Sequence, residues 1–130
     1  MIHVLTVHFQ TDRWIEIQLE YLARNVDRPY RVVADLEGVD GEWEGRVDTV
    51  TNLSAEGGES LSHQEKLNRL AARVGEEAPP DDVLMFIDGD AFPIAPVGAL
   101  EHRPEAGAVV VDAVLVHAEE HRMEVVAVRP

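Results

Sequence analysis

Apolar residues in the first 90 positions alternate between short continuous runs and stretches with helical spacing. Residues 2–9 are rich in Val, Ile and Leu and predict a strand, as an unbroken apolar run suits a strand covered on both faces. After a short polar loop in which Thr11 or Asp12 is placed to cap, a helix is expected over 13–26. Its Ile15, Leu19, Leu22 and Val26 fall on one face. Pro29 turns the chain into a second strand, 30–36, near whose end lies Asp35. Residues 37–45 hold three glycines and four acids around Trp43 and read as a loop; 46–53 predict a third strand near a sheet edge, and 54–60, with Gly57 and Gly58, another loop.

Ser62 and Glu65 are spaced as a capping box, and Leu67, Leu70, Ala71 and Val74 line one face of the helix that follows, which is expected to end near Gly75. Pro79 and Pro80 then force an extended lead into the stretch 83–93, where five apolar residues close on Asp88, Gly89 and Asp90. Further on, a helical turn is expected over 96–100 and strands over 108–116 and 123–128, with a hairpin loop between them. Strand–helix alternation followed by a strand-rich remainder predicts an α/β domain over 1–130, with a mostly parallel sheet flanked by helices. Ligands of such sheets bind at the carboxyl ends of strands, where Asp35, Asp88 and Asp90 all fall.

Composition narrows the chemistry. The 25 acidic residues outweigh the 11 basic ones, for a formal charge of -14, which disfavours nucleic acid as a partner. An anionic substrate would need a cation to approach such a surface. There is no cysteine, hence no disulfide and no thiolate metal site. No apolar stretch reaches the ~20 residues of a membrane span, and the N-terminal residues do not resemble a signal peptide, so a cytoplasmic location is expected.

In an extended segment, side chains two apart point the same way, so Asp88 and Asp90 are expected to project together, with Gly89 letting a ligand near the backbone. Two close carboxylates share a proton, pair with a cation or hold a metal. Hard oxygen donors suit Mg2+ or Mn2+, ions that commonly bring a phosphate with them. The plainer alternative is a solvated Asp-Gly turn.

The order of these pieces, Leu5-Thr-Val-His-Phe, Val32-Val-Ala-Asp35, Ser62-His-Gln-Glu-Lys-Leu-Asn-Arg-Leu70 and Phe86-Ile-Asp-Gly-Asp-Ala-Phe-Pro93, resembles the nucleotide-sugar-binding half of GT-A glycosyltransferases, family 2-like members above all. The resemblance covers roughly residues 2–96, with the DxD motif its most specific part, so 1–95 would be the nucleotide-sugar-binding part and 96–130 the remainder. It implies a Rossmann-like fold and a nucleotide-diphospho-sugar bound through a divalent metal at Asp90, with Asp88 on the ribose or on the metal through water. Asp35 would meet the base or ribose, Thr6 to His8 would line the nucleotide pocket, and Asn68 with the loop before its helix would lie near base or diphosphate. The resemblance names no acceptor and no catalytic base. Only 40 residues follow Asp90, fewer than the family's acceptor half needs. That leaves a minimal transferase, a truncated non-catalytic nucleotide-binding module, or an assembly module whose exposed edge self-associates as a homodimer.

Other features have two readings each. His63, at the start of its helix, either touches a phosphate or is solvated. Trp43 either covers core or stacks on a ligand, and of His3 and His8 one is expected buried. Lys66 and Arg69 are expected as surface partners of nearby acids. An apolar strand running into Asp-x-Asp is also similar to haloacid-dehalogenase-like phosphatases, where Asp88 would attack phosphorus and Asp90 act as general acid. Against this, Phe92 replaces the usual threonine or valine and no lysine follows. His117 and His121 match the H-x-x-E-H zinc-peptidase pattern, but valine-rich flanks predict a hairpin rather than the helix that pattern needs.

Overall fold

The computed structural model of the chain describes residues 1–97 and, beyond them, the backbone of strands at 100–103, 108–117 and 122–128. The elements are β1 (Ile2–Phe9), α1 (Ile15–Asn25), β2 (Tyr30–Glu37), β3 (Thr49–Thr51), α2 (Leu53–Gly57), α3 (His63–Glu77), β4 (Val83–Asp88), β5 (Ala91–Pro93), β6 (Leu100–Arg103), β7 (Ala108–His117) and β8 (Arg122–Val128). The first four strands form a parallel sheet in the order β3-β2-β1-β4. The α/β class with a parallel sheet flanked by helices is therefore as expected.

Strand side chains alternate between the two faces of this sheet, and each face has its own core. Ile2, Val4, Val32, Ala34, Met85 and Ile87 pack with Ile15 and Leu22 of α1 and with Trp43 and Val47. Leu5, Val7 and Val33 pack on the other face with Leu53, Leu61, Leu67 and Leu70 from α2, α3 and the loop between them. Each fully buried Val, Leu, Ile or Met side chain contributes about 1.5–3 kcal/mol. Trp43 is core, and its indole Nε1 donates to the Asp40 carbonyl at 3.1 Å.

The register sets the functional end. Val7, near the end of β1, lies opposite Asp35 on one side and Asp88 on the other. β4 stops at Asp88, and β5 pairs antiparallel with β7 in a second sheet that also holds β6 and β8.

Several local expectations need correction. The third strand shrinks to Thr49–Thr51, because Val47 turns into the core and the Asp48 carboxylate accepts from the Val32 backbone N–H at 2.7 Å. The loop expected over 54–60 begins as helix α2, whose cap is Asn52 accepting from the Ala55 N–H at 3.1 Å. Neither Thr11 nor Asp12 caps α1 by its side chain. Trp14 holds the cap position, and the Ile15 N–H instead reaches the Asp12 carbonyl at 3.1 Å. α3 has both halves of the predicted capping box but runs past Gly75 to Glu77. Leu100 opens a strand rather than closing a turn, while 98 and 99 lie outside the described residues. His117 ends β7 opposite Arg122, so the flanks of the H-x-x-E-H stretch are paired strands; 118–121 lie outside the described residues.

Candidate functional site

An open cleft of about 490 Å3 lies at the carboxyl ends of β1 and β4. His8 and Phe9 come to it from β1, Thr11 and Trp14 from the loop entering α1, His63 from the first turn of α3, Asp88 from the end of β4, and Gly89 and Asp90 from the turn after it. Short loops following parallel strands leave such a crevice because each helix must double back beside the sheet.

Asp88 is the last residue of strand β4, whereas Asp90 lies in the turn that follows, so the two aspartates do not share one extended segment. Asp88 is exposed and Asp90 half-buried, and both line the cleft. The absent side chain of Gly89 serves a contact within the fold. A Cβ there would collide with the Val7 carbonyl oxygen and lie 3.1 Å from His8 Nδ1. β1 thus makes a close approach of its own to Gly89, which also lines the cleft.

His8 is buried. Its Nε2 lies 3.3 Å from Gln18 Oε1 and 3.5 Å from Thr6 Oγ1. Burial lowers its pKa, opposed by the bond to Gln18 and by the charge of Asp90 nearby. Thr6 is itself buried, so it stands behind His8 and does not line the cleft. Gln18, on the inner face of α1, donates to the Asp88 carbonyl at 3.0 Å and the Ala91 carbonyl at 2.8 Å. Sequence reasoning passed over Gln18. Its signal is its place between Ile15 and Leu22, a polar residue inside an apolar stripe. Phe9, the last residue of β1, and Thr11 and Trp14, in the loop that enters α1, were also missed.

On the opposite wall, His63 Nε2 stands 3.5 Å from Asp88 Oδ1. Ser62 fixes that helix start by accepting from the Glu65 N–H at 3.2 Å, while Glu65 accepts from the Ser62 N–H at 2.8 Å. Asn68 lies further along α3, exposed, its Oδ1 accepting from Gln64 Nε2 at 2.9 Å, and it is not part of the cleft.

Asp35 does not reach the cleft either. It is fully buried at 0 % exposure, and its Oδ1 accepts from Thr51 Oγ1 and the Leu53 N–H, each at 2.8 Å. Its Oδ2 faces Lys66 Nζ at 3.7 Å. Lys66, expected at the surface, is buried with a relative exposure of 2 %. It donates to Glu37 and sits 5.1 Å from the centre of the Phe9 ring. Glu37 also accepts from Ser54 Oγ at 2.9 Å, and these bonds hold its carboxyl below the usual range. A lysine on the buried face of a helix is accommodated when acids on a facing strand pair with it.

The amino end of the sheet holds the other buried histidine. His3 Nε2 bonds Asp82 Oδ2 at 2.7 Å, which with the Met1 amine keeps the Asp82 carboxyl below its ordinary pKa.

Carboxylate oxygens, like those of water and phosphate, are the donors that hard divalent cations take. Among the described residues there is no group of three or more His, Asp or Glu side chains that could enclose a metal by themselves. Among those same residues, no helix is long and apolar enough to cross a membrane. Compared with known proteins, the chain matches no protein-family model, no curated protein and no solved structure.

Proposed function

We propose that this cleft binds a nucleotide-diphospho-sugar through a divalent cation, Mn2+ or Mg2+, at Asp88 and Asp90, in the manner of a GT-A glycosyltransferase. The observation that carries the reading is the convergence of both aspartates with His63 and Trp14 in one open cleft at the carboxyl ends of β1 and β4. When bound, the ion would neutralise the diphosphate and stabilise it as a leaving group. The chain's own residues would then divide the remaining work. Asp88 and Asp90 offer hard oxygen donors on a turn braced from beneath. His63 approaches from a helix start whose N–H groups favour anions. Trp14 and Phe9 offer aromatic faces to a base or sugar at either side of the turn.

The reaction such a cleft would serve is glycosyl transfer. The second reading is a module that binds the same ligand without turnover. Calorimetric titration of UDP, GDP and their sugars, with and without Mn2+, tests both. Metal-dependent binding that is lost in the Asp88→Ala/Asp90→Ala double variant is expected. Absence of metal-dependent binding to any nucleotide defeats both readings, and binding without consumption of the sugar nucleotide leaves the module.

A further inference from the structure

Gln18 is nearly sealed from solvent, at 1 % exposure, on the face of α1 that also buries Ile15 and Leu22. An unbonded amide there would cost about 1–3 kcal/mol. Instead both ends of the carboxamide are used. One end lies 3.0 Å from the Asp88 carbonyl oxygen and 2.8 Å from that of Ala91. Two carbonyl oxygens can only accept, so the end facing them is the NH2 group. The other end is then Oε1, which accepts, and His8 must supply the proton from Nε2 across 3.3 Å.

The two carbonyls held by Gln18 belong to the residues on either side of Gly89 and Asp90. On the other side of the turn, the His8 ring lies so close to Gly89 that a Cβ there would meet Nδ1 at 3.1 Å. One side chain from α1 therefore fixes the backbone before and after the turn and orients the ring packed beside it. Packing alone does not require an amide at this position. Methionine would fill a similar volume in the same apolar stripe.

We propose that Gln18 is a positioning residue for the Asp88–Asp90 turn, holding its two flanking carbonyls and setting His8 as the Nε2–H tautomer beside Gly89. The consequence for metal binding rests on the reading proposed above; the tautomer and the shape of the turn do not.

The test compares the full chain with Gln18→Glu, which presents an oxygen at both ends, and Gln18→Met, which presents no amide. Imidazole nitrogen resonances of the unaltered chain are expected to show His8 protonated at Nε2 and bare at Nδ1. In both variants the backbone amide signals of 88–91 should shift while those of β2 and the middle of α3 stay in place. Affinity for Mn2+, used alone as the probe, should fall by about 10–100-fold. A proton on Nδ1 of His8 overturns the proposal. So do unmoved signals at 88–91, or shifts spread evenly across the sheet, which would mark a general packing role. If Gln18→Glu does not fold, Gln18→Met decides alone. An unaltered chain that binds no Mn2+ overturns the functional reading, while the resonances still decide the role of Gln18.

Discussion

The α-carbon of Gly89 rests against the carbonyl of Val7, so closely that a methyl group there would collide with the oxygen. The obstacle is backbone in the middle of a sheet and cannot swing aside. Gly89→Ala is therefore expected to destabilise the fold by about 1–3 kcal/mol, the usual cost of overpacking. It should also weaken Mn2+ binding as the turn is pushed off β1. Urea unfolding and a metal titration on the same variant check both; a midpoint equal to that of the unaltered chain contradicts the contact.

Lys66 and Asp35 form a pair with side-chain exposures of 3 % and 0 %. Lys66→Met removes the cation and leaves a buried carboxylate behind, at an expected cost of about 3–5 kcal/mol. Adding Asp35→Asn to that variant should return part of the loss, since the orphaned charge disappears with it. Equilibrium unfolding of the two single variants and the double gives the coupling. Strictly additive losses would mean that the two groups do not interact.

His8 titrates below its ordinary pKa in the folded chain because burial disfavours the charged ring. The unfolded chain then binds the proton first. The stability due to neutral His8 is complete above its unfolded pKa of about 6.5 and is lost as pH falls through that value towards the lower folded one. The loss cannot exceed about 1.4 kcal/mol per pH unit for a single group. Carboxyls held low, such as Glu37 and Asp82, lose their contribution only below about pH 4.5, so the span from pH 6.5 to 5 belongs to histidine. Unfolding midpoints across that span should slope for the native sequence and flatten in His8→Gln.

The two tryptophans of the sequence occupy opposite situations. Trp14 lines the cleft, with the Arg13 guanidinium 4.7 Å from its ring, whereas Trp43 is packed in the core beside Val47. Mn2+ with UDP is expected to quench emission from Trp14. Trp14→Phe should abolish that change and Trp43→Phe should keep it. Quenching that survives Trp14→Phe would move the ligand out of the cleft.

The features readable along the chain were those set by neighbours in sequence. The apolar runs of β1 and β4, the spacing of Ile15 and Leu22, and the Ser62–Glu65 capping box each depend on contacts within a few residues, and each appears where expected. What escaped depends on distant partners. α2 forms where the Leu53 N–H finds Asp35, 18 positions earlier. Lys66 is buried because Glu37, 29 positions earlier, ends the strand facing it. The same holds in the cleft. Asp88 and Asp90 stood out at once, but the amide that holds the backbone around them lies 70 positions back, on α1.

Lys66 is the sole lysine in the sequence, and its amine is sealed under Phe9 between two acids. In the folded chain, then, acylating reagents and amine-directed cross-linkers meet no accessible lysine side chain. Any modification at Lys66 must follow an opening of the structure. The rate at which this one position is acylated therefore reports on opening of the structure: on the frequency of openings where acylation outpaces reclosing, and on the open population where it does not.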